Sequence, residues 1–585
     1  LAAVLCVVSM GAVVRAAPPL ADRVPSDALL YVGWAGSDGC PGYDASHLKA
    51  VVGSSSIPQL FTSFVPQLVR RVGRMNGQAG EVLDRLVAAG SPVWHHPTAF
   101  YLGGIDYSGP RPMPRVAILC DAGPDAASLS DQLVQLIGEL PPDAEVKPAV
   151  RTYGNLVVLS LLSADQTDEL FAKPAAGGLG ATAKFNAALG QCRPATAALV
   201  GYVDMEGVVT AVDEGVQKAN EREVSANWPK VRATLGLSGL RRAAWTAGFD
   251  GKDWIERTFV STDGRHAGML SLLDARPLDT DLLSAVPVTA DRVAAARLDL
   301  AAGFDAIHDA IATFSPDAAA KVDDALGQIN DQAGINIRRD LLGSLGDQWV
   351  SYSDRSVGGS SVMGTVLVNR LRDAARGDQA MTQLSRRLNT IIAHQIANPM
   401  IEVQFRESQV NGTTLHYLAV PLVTPTWAVK GGQLFVGLYP QVVAAAVDGA
   451  DHKGPSILQR PEYVATLKRL GNHPAASVAF VNLPGVAPDG YADLLGTTRL
   501  LLGMGDIFGA HAPPLVVPPL RQVLPELTPA GSVSWADAAG WHSAAVSPFP
   551  GAEILGAGSS GGGGLAQLPM MLGAFGQGFQ QMQRR

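Results

Sequence analysis

The sequence predicts an α+β protein made of two tandem pseudo-repeats, each a mixed or antiparallel sheet with helices packed on one face. Three observations predict it. Gly154 to Val208 realign without a gap onto Gly432 to Val486, an offset of 278, with 12 of the 55 pairs identical. Leu156 falls on Leu434, Phe185 on Tyr463, Leu189 on Leu467, Tyr202-Val203-Asp204 on Phe480-Val481-Asn482, and Gly207 on Gly485. A similar lead opens each half: Val24-Pro25-Ser26-Asp27 before the apolar run Ala28 to Trp34, and Val288-Thr289-Ala290-Asp291 before Arg292 to Leu298. Strands broken by glycine turns close each half. The expected divisions are a leader over 1–16, a first unit over 24–286, a second over 287–556, and a Gly/Ser linker with tail over 557–585.

After the first strand of each half the apolar spacing turns helical. Phe61, Phe64, Leu68 and Val72 form the stripe in the first half; Phe304, Ile307, Ile311 and Phe314 form it in the second. Ser315-Pro316-Asp317 reads as a helix cap with proline in the first helical position. The next helix carries Val322, Leu326, Ile329 and Ala333 and stops at Gly334. Strands return at Ala99 to Leu102 and Val116 to Cys120, and at Trp349 to Tyr352 and Met363 to Val368. Helices lined by Leu129, Leu133, Leu136 and Leu140, and by Met381, Leu384, Leu388 and Ile391, come after them. The second half adds a longer helix and a hairpin, Ile401 to Val410 and Thr413 to Val420. Its Asn411-Gly412 turn suits the positive φ that a type I′ turn needs at both central residues. Ala243 to Phe249, Trp254 to Ser261 and His266 to Leu272 read as a three-strand meander; Gly531 to Trp535 and Trp541 to Val546 answer its first two strands.

A chain of 585 residues suggests two to four domains. Net charge is −8 with both signs interspersed, which points away from a nucleic-acid groove. Arg70-Arg71 with Arg74, Arg338-Arg339 and Arg386-Arg387 read as solvated helix faces. Leu1 to Val14 is uncharged and apolar, and Val14-Arg15-Ala16 sets small residues at −3 and −1 of a cleavage point. That pattern predicts a secretory signal peptide, too short to span a bilayer, and a mature protein in the periplasm or at the cell surface. Leu494 to Leu520, the most apolar later stretch, carries Arg499, Asp506 and His511, so no transmembrane span is expected. Cleavage removes Cys6 and leaves Cys40, Cys120 and Cys192, enough for one disulfide at most. Cys120 and Cys192 are expected as buried thiols and Cys40, in a Gly/Pro loop, as the exposed one.

No catalytic, cofactor-binding or metal-binding residue is assigned. His95-His96, adjacent before Pro97, would point to opposite sides of a strand and read as a loop pair rather than metal ligands. Gly177-Gly178-Leu179-Gly180 and Gly503-Met504-Gly505-Asp506 lack the strand before them and the lysine of a phosphate loop, and are expected as turns. Gly358-Gly359-Ser360-Ser361 is expected as a loop leading a strand, and Arg376-Gly377-Asp378 lies in or beside a helix. Asp204 ends a strand; because it falls on Asn482, the position is read as a short polar side chain that caps the next element. Of the nine tryptophans, exposed ones would stack on sugars and buried ones would fill sheet cores. In the tail, Leu568, Met571, Leu572, Phe575, Phe579 and Met582 fall at helical spacing among glycines. A weak contact with a membrane surface or partner, and plain disorder, both stay open there.

The leader, the segment Val24-Pro25-Ser26-Asp27-Ala28-Leu29-Leu30-Tyr31-Val32-Gly33-Trp34, and Gly334-Ile335-Asn336-Ile337-Arg338-Arg339-Asp340-Leu341-Leu342 before Gly346-Asp347-Gln348-Trp349 together resemble large exported bacterial proteins of the planctomycete type that carry a domain of unknown function. The resemblance is one of layout over most of the mature chain. It implies export and a repeated α+β build and brings no catalytic residues. The expected function is an exported, non-catalytic protein with a binding or envelope-structural role, without cofactor, whose partner is a protein, a glycan or a small molecule. The alternative is an exported hydrolase-like enzyme with its site in one half.

Overall fold

The computed structural model describes residues 18–53, 92–106, 113–138, 148–172, 177–192, 197–219, 222–264, 268–272, 276–359, 362–395, 403–419, 424–452, 454–507, 516–553 and 555. The leader, the stripe from Phe61 to Val72, Arg70-Arg71 with Arg74, Leu140, His266 and the tail from Leu565 lie outside them. The chain mixes helices with antiparallel sheet and divides into two compact units. One comprises Leu1–Val212, Arg241–Ser261 and Ala512–Val517; the other comprises Asp213–Leu240, Thr262–His511 and Pro518–Arg585.

In the first unit the strands are β1 (Leu30–Trp34), β2 (Thr98–Asp106), β3 (Met113–Asp121), β4 (Ala149–Tyr153), β5 (Leu156–Ser160), β6 (Leu199–Val203), β7 (Leu240–Asp250) and β8 (Asp253–Thr262). Antiparallel ladders set the order β4-β5-β3-β2-β1-β6-β7. At its centre Tyr31 of β1 lies opposite Tyr101 of β2 on one side and Tyr202 of β6 on the other. Phe171 of α2 (Ala164–Phe171) packs edge-on against Tyr101, and Phe185 of α3 (Ala183–Cys192) against Tyr31 and Tyr202. The opposite face buries Cys120 and Val157 under Leu129 of α1 (Ala126–Gly138).

The second unit holds β9 (Arg292–Arg297), β10 (Gln348–Ser353), β11 (Thr365–Arg370), β12 (Gln404–Val410), β13 (Thr413–Ala419), β14 (Thr426–Lys430), β15 (Gln433–Gly437), β16 (Ser477–Val481), β17 (Ala530–Asp537) and β18 (Gly540–Ser547). Its order is β12-β13-β14-β15-β11-β10-β9-β16-β17-β18, again antiparallel. Helices α5 (Leu300–Phe314) and α6 (Pro316–Ala333) form a hairpin. Ser315 caps α6 by accepting from the Ala318 N–H at 3.2 Å, and Gly334 ends it at φ 69°. Helix α7 (Ala374–Gln395) is the longer helix expected, and Arg376-Gly377-Asp378 lies inside it. Asn411 and Gly412 take φ 49° and 73° at the turn between β12 and β13, as the hairpin requires.

Helices on one face only does not hold. Every residue of β10 is buried. Val350 and Tyr352 join Val443 of α8 (Pro440–His452) and Tyr463 of α9 (Pro461–Leu470) on one side. Trp349, with Trp427 and Leu434, meets Met381 of α7 and Leu300 of α5 on the other. A central strand apolar on both faces must be covered on both.

The gapless alignment also slips. Leu434 lies with Trp349, whereas Leu156, two residues from Val158 and next to Val157, lies on the tyrosine side of its sheet. A one-residue shift exchanges the faces of a strand. In the leads, the Leu179 N–H donates to the Val24 carbonyl at 2.8 Å, and the Ile457 N–H to that of Val286 at 2.9 Å. Three further expectations change. Gly268–Leu272 is a 3-10 turn and not a strand, since Gly268 has φ 58°. Gly503-Met504-Gly505-Asp506 is part of the helix α10 (Leu483–Ile507), not a turn. Cys40 is buried, 8% exposed, against Tyr43, Phe249 and Trp254. No helix among the described residues is long and apolar enough to cross a membrane.

Candidate ligand-binding surface

Where β1 ends, the chain meets the helical turn before β2. Trp34, the last residue of β1, pairs with Thr98 of β2. Beyond it the Ser37 N–H donates to the Trp94 carbonyl at 2.8 Å and the Asp38 N–H to that of His95 at 3.3 Å. Gly36 makes this approach: at φ 78°, a Cβ there would sit 2.4 Å from the His95 carbonyl oxygen. The Trp34 indole N–H also donates to the Trp94 carbonyl, at 2.9 Å. The two indoles stack with centroids 5.1 Å apart and planes 27° apart, and Trp94 remains 43% exposed. Behind Trp34 lie Cys40, Tyr43, Phe249 and Trp254. Burial pushes the Cys40 thiol up to about 11, which disfavours its thiolate.

Beside the indoles stands a polar trio. His95 Nδ1 lies 2.9 Å from Asp38 Oδ1 and 3.1 Å from Ser37 Oγ, and Ser37 Oγ donates to Asp38 Oδ1 at 3.1 Å. The His95 bond, more than the Ser37 hydroxyl, holds the Asp38 carboxyl below the usual carboxylate range against its partial desolvation. A serine relay places serine and carboxylate on different ring nitrogens. Here both meet Nδ1, which cannot donate to one and accept from the other. The trio is thus a hydrogen-bonded rim. His96 points elsewhere, with Nε2 2.9 Å from Asp125 Oδ2. The two histidines diverge as expected, but from a helical turn ending at His95 rather than a loop. Among the described residues no group of three His, Cys, Asp or Glu side chains could hold a metal ion.

Asp204 caps. It precedes α4 (Met205–Ala219) and its Oδ1 accepts from the Gly207 N–H at 3.2 Å, while Oδ2 takes the Lys184 ammonium. Asn482, before α10, donates through Nδ2 to Asp291 Oδ1 at 2.8 Å. Arg460 Nη2 lies 3.4 Å from the same oxygen, and its Nη1 donates to the Ala290 carbonyl at 2.6 Å. Asp291 and Arg460 are nearly as buried as Asp204. The lone aspartate flagged in the sequence was legible because it ended a strand. Asp291, Arg460 and the Ser37-Asp38-His95 trio were not, because their members lie 169 and 57–58 residues apart.

The other sequence candidates serve the fold. Gly177 and Gly178 form a positive-φ turn as expected. In the segment around Gly334, Asn336 Oδ1 accepts from the Arg339 N–H at 2.8 Å, and Arg338 grips Asp305 through both arms of its guanidinium. Fully buried Asn369 accepts from the Gly346 N–H and donates to the Gly346 and Gln348 carbonyls, all at 3.0 Å. Trp349 Nε1 donates to the Leu298 carbonyl at 2.9 Å. Gly358 and Gly359 end a short helix. No family model, no curated protein and no solved structure matches the chain.

Proposed function

We propose that the chain consists of two copies of one α+β unit and acts outside the cell as a non-catalytic binding protein whose ligand is a glycan. The stacked Trp34–Trp94 pair carries the binding half of this reading. An indole 43% exposed and fixed by backbone bonds offers an apolar platform, and Ser37, Asp38 and His95 supply donors and acceptors at its edge. Sugars present apolar ring faces and a rim of hydroxyls, so this pairing suits them. Export rests on the leader pattern of Leu1 to Ala16.

Duplication is supported by ladders that repeat in the same order once β12 and β13 are set aside as an insertion. The local bonds repeat too. Asp204 N–H donates to the Leu29 carbonyl at 2.9 Å and Asn482 N–H to that of Asp291 at 2.8 Å. Phe185 meets Tyr202 at 5.2 Å and 75°, and Tyr463 meets Phe480 at 5.5 Å and 77°. The correspondence then runs at 278 through these rings but at 277 in β5 and β15, where Val158 answers Phe435. At one shared position each unit keeps a buried carboxylate, drawn from the residue after β6 in one copy (Asp204) and from the β9 lead in the other (Asp291). Such an exchange suits a structural role better than catalysis.

The hydrolase alternative draws on the same Ser37-His95-Asp38 trio, whose shared nitrogen argues against it. A glycan array probed with the intact protein and with Trp94→Ala tests the proposal. Binding to a defined glycan class that the substitution abolishes is expected; no binding by the folded protein, or hydrolysis of a bound glycoside, counts against it.

A further inference from the structure

The hairpin of α5 and α6 leaves large apolar side chains open on both of its helices. Its stripes sit at helical spacing, the signature of a covered face. Yet Ile307 is 52% exposed, and Phe314 and Ile329 are each 46% exposed. Between Leu300 and Ala333 the chain carries six aspartates and a single lysine, with no glutamate or arginine. Of the six, Asp305 is taken by Arg338, and His308 lies 3.0 Å from Asp323 and 3.9 Å from Asp309. The surface therefore combines exposed large apolar side chains with a net negative surround.

We infer that this face is the docking site of the chain's own C-terminal segment, Leu565 to Arg585. The segment is complementary in both respects. It holds Leu568, Met571, Leu572, Phe575, Phe579 and Met582, and its only charged side chains are Arg584 and Arg585. Methionine and phenylalanine fill irregular apolar grooves well. The nine residues Gly556 to Gly564 that join it to the rest are mostly glycine and serine. Such a linker has a root-mean-square reach of about 16 Å and a limit of about 30 Å. A second copy of the hairpin fits poorly, since it brings six more aspartates to the same face. An anionic lipid surface meets the same repulsion. None of these residues belongs to the Trp34–Trp94 platform.

The test uses the full chain. A benzophenone amino acid in place of Phe575 is photolysed, and the products are mapped by mass spectrometry, alone and with phosphatidylglycerol vesicles. Crosslinks to residues 300–333 within one molecule are expected, with or without vesicles. Crosslinks to another copy, to lipid, or to other parts of the chain overturn the inference. Hydrogen exchange supplies the second readout. Full-length Phe575→Ser/Phe579→Ser is expected to speed exchange across 300–333 by about tenfold or more while the sheets are unchanged. Unchanged exchange there overturns the docking site. Ile307→Gln, at an already exposed position, is expected to lower the intramolecular crosslink yield several-fold; an unchanged yield counts against it.

Discussion

At Gly36 two stretches of chain approach so closely that no side chain fits between them. Gly36→Ala meets both a left-handed backbone and the His95 carbonyl, and is expected to cost about 2 kcal/mol or more. Denaturant unfolding measures the loss, and a shift in indole fluorescence reports displacement of Trp94. Acid sensitivity also resides in single residues. The Arg338 bond holds the Asp305 carboxyl below its ordinary range. A depressed carboxylate contributes stability above its unfolded value, near pH 4, and loses it as pH falls through the folded one. Asp305→Asn is therefore expected to flatten the decline in melting temperature below about pH 4 and to leave its slope near pH 7 unchanged. Thiols give a third prediction. Cys40, Cys120 and Cys192 are free and buried, and burial raises all three. An aromatic disulfide reagent at pH 8 is expected to label none of them in the folded protein and all three on denaturation, with Cys6 adding a fourth only if the leader is retained. Rapid labelling of the folded protein would contradict the buried placement.

At the scale of elements, the ends of β6 and β16 offer a direct test of the proposed duplication. Asp291→Leu strands the buried Arg460 and is expected to cost about 3 kcal/mol. Adding Asn482→Asp supplies a carboxylate where the proposed duplication matches Asp204, and about half of that loss is expected to be recovered in a double-mutant cycle. No recovery would mean that the two strand ends are unrelated. The legible features here were local. Ser315 and Pro316 announced a helix start, Gly334 its end, and Asn411-Gly412 a hairpin, because each acts through its own backbone. Less legible was anything set by distant packing. Val157 and Val158 look alike in sequence, so only their neighbours across the sheet reveal which face each takes. Gly268 sits in an alternating pattern that predicts a strand, but its backbone turns against the Thr234 carbonyl. The stripe of α5 promised core, and half of it faces outward.

For the whole molecule, the sequence carried the α+β class because helical and strand periodicities alternate along the chain. It did not carry the stacked indole pair, since Trp34 and Trp94 are 60 residues apart and only the fold of β1 against β2 joins them. It also hid the covering of both sheet faces, which comes from how apolar the central strands are when taken together. We propose that the Trp34–Trp94 platform is where this protein meets its ligand. Calorimetric titration of the intact protein with the best glycan from the array, against Trp94→Ala and Ser37→Ala, tests it most directly. At least about a tenfold loss of affinity is expected for Trp94→Ala, equivalent to about 1.4 kcal/mol, and a smaller loss for Ser37→Ala, with unfolding midpoints close to the parent. Equal affinity in a folded Trp94→Ala protein would contradict it.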